Sequence, residues 1–127
     1  MSFPFQRQQG LIVVSVEIEG PVKSIVMRLA LDTGATITVV SAALLIATGY
    51  DPALAPARVQ VTTGSGVEYV PQLALSKVSA LGEERLGLAV LCHTLPPSAG
   101  VDGLLGLDFF QGRVLTIDFR AGQIDLS

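Results

Sequence analysis

An aspartate stands in Leu29-Ala30-Leu31-Asp32-Thr33-Gly34-Ala35-Thr36, where an apolar, strand-like run gives way to a tight turn. A carboxylate leaving a buried strand is held in place, partly desolvated and close to backbone donors. Desolvation raises the pKa of such a group, whereas hydrogen bonds to its charged form lower it. The group is therefore suited to holding or passing a proton. The same residues also describe a plain Asx turn eased by Gly34. About seventy residues later, Gly103-Leu104-Leu105-Gly106 follows one strand-like run and precedes a short helix-prone stretch, Leu107 to Gln111. A glycine beside buried leucines allows close backbone approach. That serves ordinary packing, and it serves equally well to support a turn that carries chemistry.

Other reactive constellations fit poorly. Cys92 and His93 are the sole cysteine and histidine, and neighbours on a strand point to opposite faces, which separates thiol from imidazole. Cys92 reads as a small core residue, and His93 as a polar residue at a loop edge. Gly100, Gly103 and Gly106 recur every third residue, unlike a dinucleotide fingerprint, and no Gly-Lys-Ser/Thr follows them. Ser65, in Thr63-Gly64-Ser65-Gly66-Val67, is not in a nucleophile elbow. Glu83-Glu84 reads as a charged turn after Gly82. Asp102, Asp108 and Asp118 fall on a turn, a short helix and a strand, with Asp108 a candidate helix cap. No metal site and no cofactor is expected, and one cysteine excludes an intrachain disulfide.

The elements that must position these residues are mostly strands. Leu11 to Glu19 is rich in β-branched residues and meets Gly20-Pro21, and Val22 to Leu31 completes a hairpin. Thr36 to Val40 is a third strand candidate. Ser41 is placed to cap a helix over 42–47 that Gly49 would stop. Arg58 to Thr63 and Val67 to Leu75 face each other across Gly64-Ser65-Gly66, a hairpin with a glycine-rich tip. Leu86 to Leu91, Val114 to Phe119 and Gln123 to Leu126 are further strands. Many short strands with regular turns indicate an all-β barrel or sandwich.

The composition narrows the partners. A chain of 127 residues is one domain, and 50% hydrophobic content is enough for a real core. Some of that apolar surface is expected to be buried against a partner. Eight Lys and Arg against eleven Asp and Glu, with the basic residues scattered, argue against nucleic acid. The uncharged span Thr33 to Tyr50 is interrupted by Thr, Ser and Gly, so no membrane span is expected. Met1 to Gln9 lacks the apolar core of a signal peptide, and a cytoplasmic location is expected. Residues 1–10 read as an N-terminal arm or tail, and 11–127 as the domain.

Asp32-Thr33-Gly34-Ala35, the hairpin tip at Thr62-Thr63-Gly64-Ser65-Gly66, and Leu104-Leu105-Gly106 with its following helix occur in a telling order and spacing. Together they resemble the retropepsins, the single-domain retroviral-type aspartic proteases, over residues 11–127. Leu104 to Phe110 is closer in style to cellular and bacterial members, because viral ones usually carry arginine where Leu107 stands. The resemblance implies an all-β, closed acid-protease barrel with one or two short helices. It implies Asp32 as the catalytic residue and Thr33, Gly34 and Ala35 as its turn. Thr63, Gly64, Ser65 and Gly66 would belong to a substrate-covering flap over 62–69, and Leu104, Leu105 and Gly106 would support the turn.

Aspartic-protease chemistry takes two carboxylates that share one proton. The chain has a single Asp-Thr-Gly, and Asp102-Gly103 lacks the intervening hydroxyl residue. A homodimer supplying Asp32 twice about a twofold axis is therefore expected, acting on a peptide or protein substrate. The C-terminal strand Gln123-Ile124-Asp125-Leu126 is the expected interface element. The alternative is a non-catalytic dimerisation or peptide-binding module with the same fold.

Overall fold

Alternation of side chains writes the first hairpin. In β2 (Val13–Glu19), Val14, Val16 and Ile18 are buried while Ser15, Glu17 and Glu19 face solvent, the period of two that a half-buried strand requires. β3 (Ser24–Leu31) returns antiparallel, from Glu19 opposite Ser24 to Val13 opposite Ala30, and buries Met27 and Leu29. The computed structural model describes residues 1–8 and 10–127. Gln9 and the side chain of Thr63, one of the residues expected in a flap, lie outside the described residues.

The third strand is shorter than the sequence suggests. Only β4 (Val39–Val40) is extended, because the Asp108 carboxylate takes the Thr38 N–H at 3.1 and 3.0 Å and bends the chain before it. α1 (Ala42–Thr48) follows and ends as expected at Gly49, whose φ of 109° lets its N–H reach back to the Ile46 carbonyl. Ser41 does not cap it: the side chain makes no capping bond, and its N–H is held by the Asp102 carbonyl.

β5 (Ala57–Thr63) and β6 (Gly66–Ala74) form the expected hairpin, with Gly64-Ser65 at its tip. The next stretch departs from expectation. β7 (Lys77–Ala80) and β8 (Glu83–Leu86) form a small hairpin, so Glu83-Glu84 lies in a strand and the turn is Leu81-Gly82, both at positive φ. The apolar run Leu86 to Leu91 is also broken. Gly87 turns left-handed at φ 71°, and the chain crosses from β8 at one sheet edge to β9 (Ala89–Cys92) beside β6.

β10 (Gly103–Leu105) completes a nine-stranded sheet in the order β5-β6-β9-β4-β10-β3-β2-β7-β8. It curls into a half-barrel around Ile18, Leu29, Leu45, Val90, Leu105 and Phe109, with β5 and β8 as its open edges. Among the described residues, three short 3-10 turns accompany α1, at Pro52–Leu54, Pro97–Ala99 and Leu107–Phe110.

The termini build a second sheet, β1 (Ser2–Pro4), β12 (Gln123–Leu126) and β11 (Leu115–Asp118), with β12 in the middle. Both edges of the C-terminal strand are paired within the chain, to β1 and to β11. Among the described residues, no helix is long and apolar enough to cross a membrane.

β10 lies between β3 and β4, and a Cβ on Gly103 would sit 2.0 Å from the Val39 carbonyl oxygen. Gly103→Ala is expected to destabilise the fold by about 2 kcal/mol or more. Gly10→Ala, where an added Cβ meets nothing within 4 Å, should stay within about 0.5 kcal/mol. Urea unfolding of both variants beside the parent checks the contrast.

Candidate active site

Two parallel strands end side by side at the site. β10 pairs with β3 as Gly103 with Leu29, Leu104 with Ala30 and Leu105 with Leu31. The next residue, Asp32, donates its N–H to the Leu105 carbonyl at 2.9 Å. The chain then turns tightly: Gly34 N–H bonds Asp32 Oδ1 at 2.9 Å, and Ala35 N–H bonds the Asp32 carbonyl at 3.1 Å. This is the Asx turn read from the sequence, and it orients the carboxylate. Asp32 is half-buried, whereas Thr33 and Gly34 are exposed. Among the described residues, neither Asp32 Oδ2 nor the Thr33 hydroxyl makes a hydrogen bond, so both can meet groups from outside the chain.

The leucine–glycine segment braces that turn from beneath. Leu105 is fully buried, and Leu107 N–H reaches the Ala35 carbonyl at 2.8 Å. A Cβ on Gly106 would lie 2.8 Å from the same carbonyl oxygen, so only glycine fits there. Leu104, Leu105 and Gly106 are thus brought against Asp32 to Ala35.

Sequence reasoning missed a polar clasp beside them. The Thr38 hydroxyl, fully buried, accepts from Gly106 N–H at 3.1 Å and donates to Asp108 Oδ1 at 2.7 Å. Asp108 is therefore not a helix cap. Its carboxylate accepts from both the N–H and the hydroxyl of Thr38, tying the segment after Gly106 to the segment after Ala35. The available signal was a carboxylate two residues past Gly106 and a hydroxyl inside the apolar run Ile37 to Val40.

A cleft of about 340 Å³ opens between the turn and the base of the β5–β6 hairpin. Gly34 to Ile37, Val39 and Leu91 form one wall, and Val59 to Thr62 the other. The hairpin tip, Gly64 to Gly66, does not line it. Val59, Val61, Ile37 and Leu91 were not picked out from sequence, since apolar residues in strands carry no mark distinguishing a cleft wall from core.

The remaining candidates have structural work. Asp102 Oδ2 accepts from Arg28 N–H at 2.9 Å, and Asp118 Oδ1 accepts from Arg120 and Ala121 N–H groups at 2.9 Å. Glu83 pairs with Arg113, and Glu84 with Lys77 at 3.4 Å. Cys92 is buried, and desolvation raises its thiol pKa. His93 is half-buried and bonds through its backbone to Val40. Among the described residues, no group of three His, Cys, Asp or Glu side chains could hold a metal ion.

A family model described as gag-polyprotein putative aspartyl protease matches residues 14–112. The chain belongs to that family. Its fold is retropepsin-like: the crystal structure of a retropepsin-like aspartic protease from Rickettsia conorii matches with a TM-score of 0.75. That match covers 99% of this chain and 88% of the other, at 16% identity. No curated protein matches the chain.

Thr38→Val keeps the shape but orphans the Gly106 N–H and removes a donor from Asp108. It should lose about 3 kcal/mol of stability, whereas Thr38→Ser should lose only about 1 kcal/mol for its missing methyl. Denaturant titration separates the two. Because burial keeps the Cys92 thiol protonated at pH 8, it should resist a thiol reagent in the native protein. One thiol should appear on unfolding; rapid native labelling would contradict its placement.

Proposed function

We propose that the protein is a homodimeric aspartic endopeptidase in which each subunit supplies Asp32 to a shared dyad. One observation carries the reading: the Asp32 carboxylate is fixed through Oδ1 by the turn while Oδ2 stays open, at the end of a strand braced by Leu104, Leu105 and Gly106. A single carboxylate cannot act as both base and acid. The family assignment and the single Asp-Thr-Gly together argue for a second copy across a twofold axis. Leu107, 44% exposed although it bonds directly to the turn, is an apolar contact suited to that copy.

Two carboxylates held close cannot both ionise, so one proton is shared between them. The ionised member takes a proton from a bound water as its oxygen attacks the peptide carbonyl carbon. The protonated member gives its proton to the carbonyl oxygen, forming a gem-diol. On collapse of the gem-diol the newly protonated carboxyl gives its proton to the amine nitrogen, the ionised one takes a proton from a gem-diol hydroxyl, and the C–N bond breaks, leaving a free carboxyl, a free amine and a dyad again sharing one proton. No covalent enzyme intermediate forms. The β5–β6 hairpin covers the substrate as a flap, and an extended peptide lies between it and the turns, paired through main-chain hydrogen bonds.

The test is cleavage of a diverse peptide library between pH 4 and pH 8, wild type beside Asp32→Asn. Cleavage by the wild type alone is the expected result, with Asp32→Asn at least about 1,000-fold slower because both carboxylates of the dyad, the base and the acid, are lost. Full activity in the variant would refute the mechanism. Silence from both, with a dimer seen by sedimentation, would instead favour a peptide-binding module.

A further inference from the structure

We propose that Glu68 makes the cleft beneath the flap select a substrate side chain with an apolar stem and a cationic end, lysine or arginine. The inference deepens the peptidase reading and rests on it. Strand register supplies the first observation. Glu68 pairs with Val61, and Val70 pairs with Val59, so these four side chains share one face of the hairpin. Val70 is buried and Val59 and Val61 are half-buried, whereas Gln60, Thr62, Val67 and Tyr69 of the other face are exposed, which identifies the valine face as the inner one. Glu68 therefore projects inward from β6, directly across from Val61 of the apolar wall.

Charge supplies the second observation. The cleft walls contain no charged residue: they are Gly34 to Ile37, Val39, Leu91 and Val59 to Thr62. Glu68 is exposed and has no ion pair or hydrogen bond among the described residues. Arg58, the basic residue on the same hairpin, pairs with Pro71 and lies on the opposite face. The carboxylate is thus left unneutralised at the end of an apolar trough. A lysine or arginine side chain matches it, since its methylenes pack on valine while its charged head reaches outward. A glutamate side chain at the same position meets like charge.

The experiment walks a lysine, and separately an isosteric norleucine, through every position of an apolar peptide that the wild type cleaves. One position should prefer lysine by about fivefold in kcat/KM, the scale of a partly exposed ion pair. The preference should shrink with added salt. In Glu68→Gln the lysine-to-norleucine ratio should fall to near one, and in Glu68→Lys it should invert. A ratio unchanged in Glu68→Gln would overturn the assignment. To separate this from failure of the peptidase reading, calorimetry measures reduced-amide versions of both peptides on Asp32→Asn, with and without Glu68→Gln. Tighter binding of the lysine peptide that depends on Glu68 supports the assignment even where no peptide is cleaved. Equal binding, or none, overturns it.

Discussion

One buried hydroxyl connects the two halves of the site. Thr38 Oγ1 lies between a backbone N–H that needs an acceptor and a carboxylate that needs a donor, and a hydroxyl is the small group that satisfies both. Were it lost, Gly106 would bury an unpaired N–H, at a desolvation penalty larger than the bond's net contribution. The consequence is geometric as well as energetic. Gly106 sits directly under the Ala35 carbonyl, and Asp32 hangs from the Leu105 carbonyl. Whatever fixes Gly106 therefore fixes the level at which the Asp32 carboxylate leaves its strand.

This arrangement explains why the glycines are where they are. β10 runs between β3 and β4, parallel to one and antiparallel to the other; Leu29 of β3 and Val39 of β4 leave no room for a Cβ at Gly103, and the backbone of Ala35 and Ile37 leaves none at Gly106. The leucines between them fill the space a side chain can use: Leu105 is fully buried in the core and Leu104 half-buried. A hydrophobic–hydrophobic–glycine pattern is thus a steric statement about three neighbouring backbones before it is a signature of any activity.

Much of this was legible in the sequence because it is local. The alternation in Val13 to Glu19, the stop at Gly49 and the turn after Asp32 depend on residues a few positions apart, and each appears as expected. The clasp between Thr38 and Asp108 was not legible, since it spans 70 positions and neither residue advertises its partner. β7 and β8 were misread for a different reason. Edge strands carry charge to discourage pairing with other chains, so Glu83, Glu84 and Arg85 look like a turn while forming a strand. Leu81, at φ 53°, makes their connection without the usual glycine or asparagine at that position, and the pattern gave no warning of it.

The two ends of the nine-stranded sheet are built for opposite purposes. At β8, Arg85 donates to the carbonyls of Phe109 and Gln111, and Glu83 pairs with Arg113, so the edge is tied to the chain that follows the site. At β5 the sheet ends in the β5–β6 hairpin, where Gln60, Thr62, Val67, Glu68 and Tyr69 are all exposed. A hairpin with so little buried surface is held mainly by its own ladder, which places it at the low-stability end of the fold. The clamped edge is held through side-chain ties to Phe109, Gln111 and Arg113, and the hairpin edge is held mainly by its own backbone ladder. A closely braced Asp32 turn and a lightly packed hairpin thus occupy one continuous sheet, because burial and polar ties are concentrated around residues 32–38 and 103–108 and are sparse along the outer half of β5 and β6.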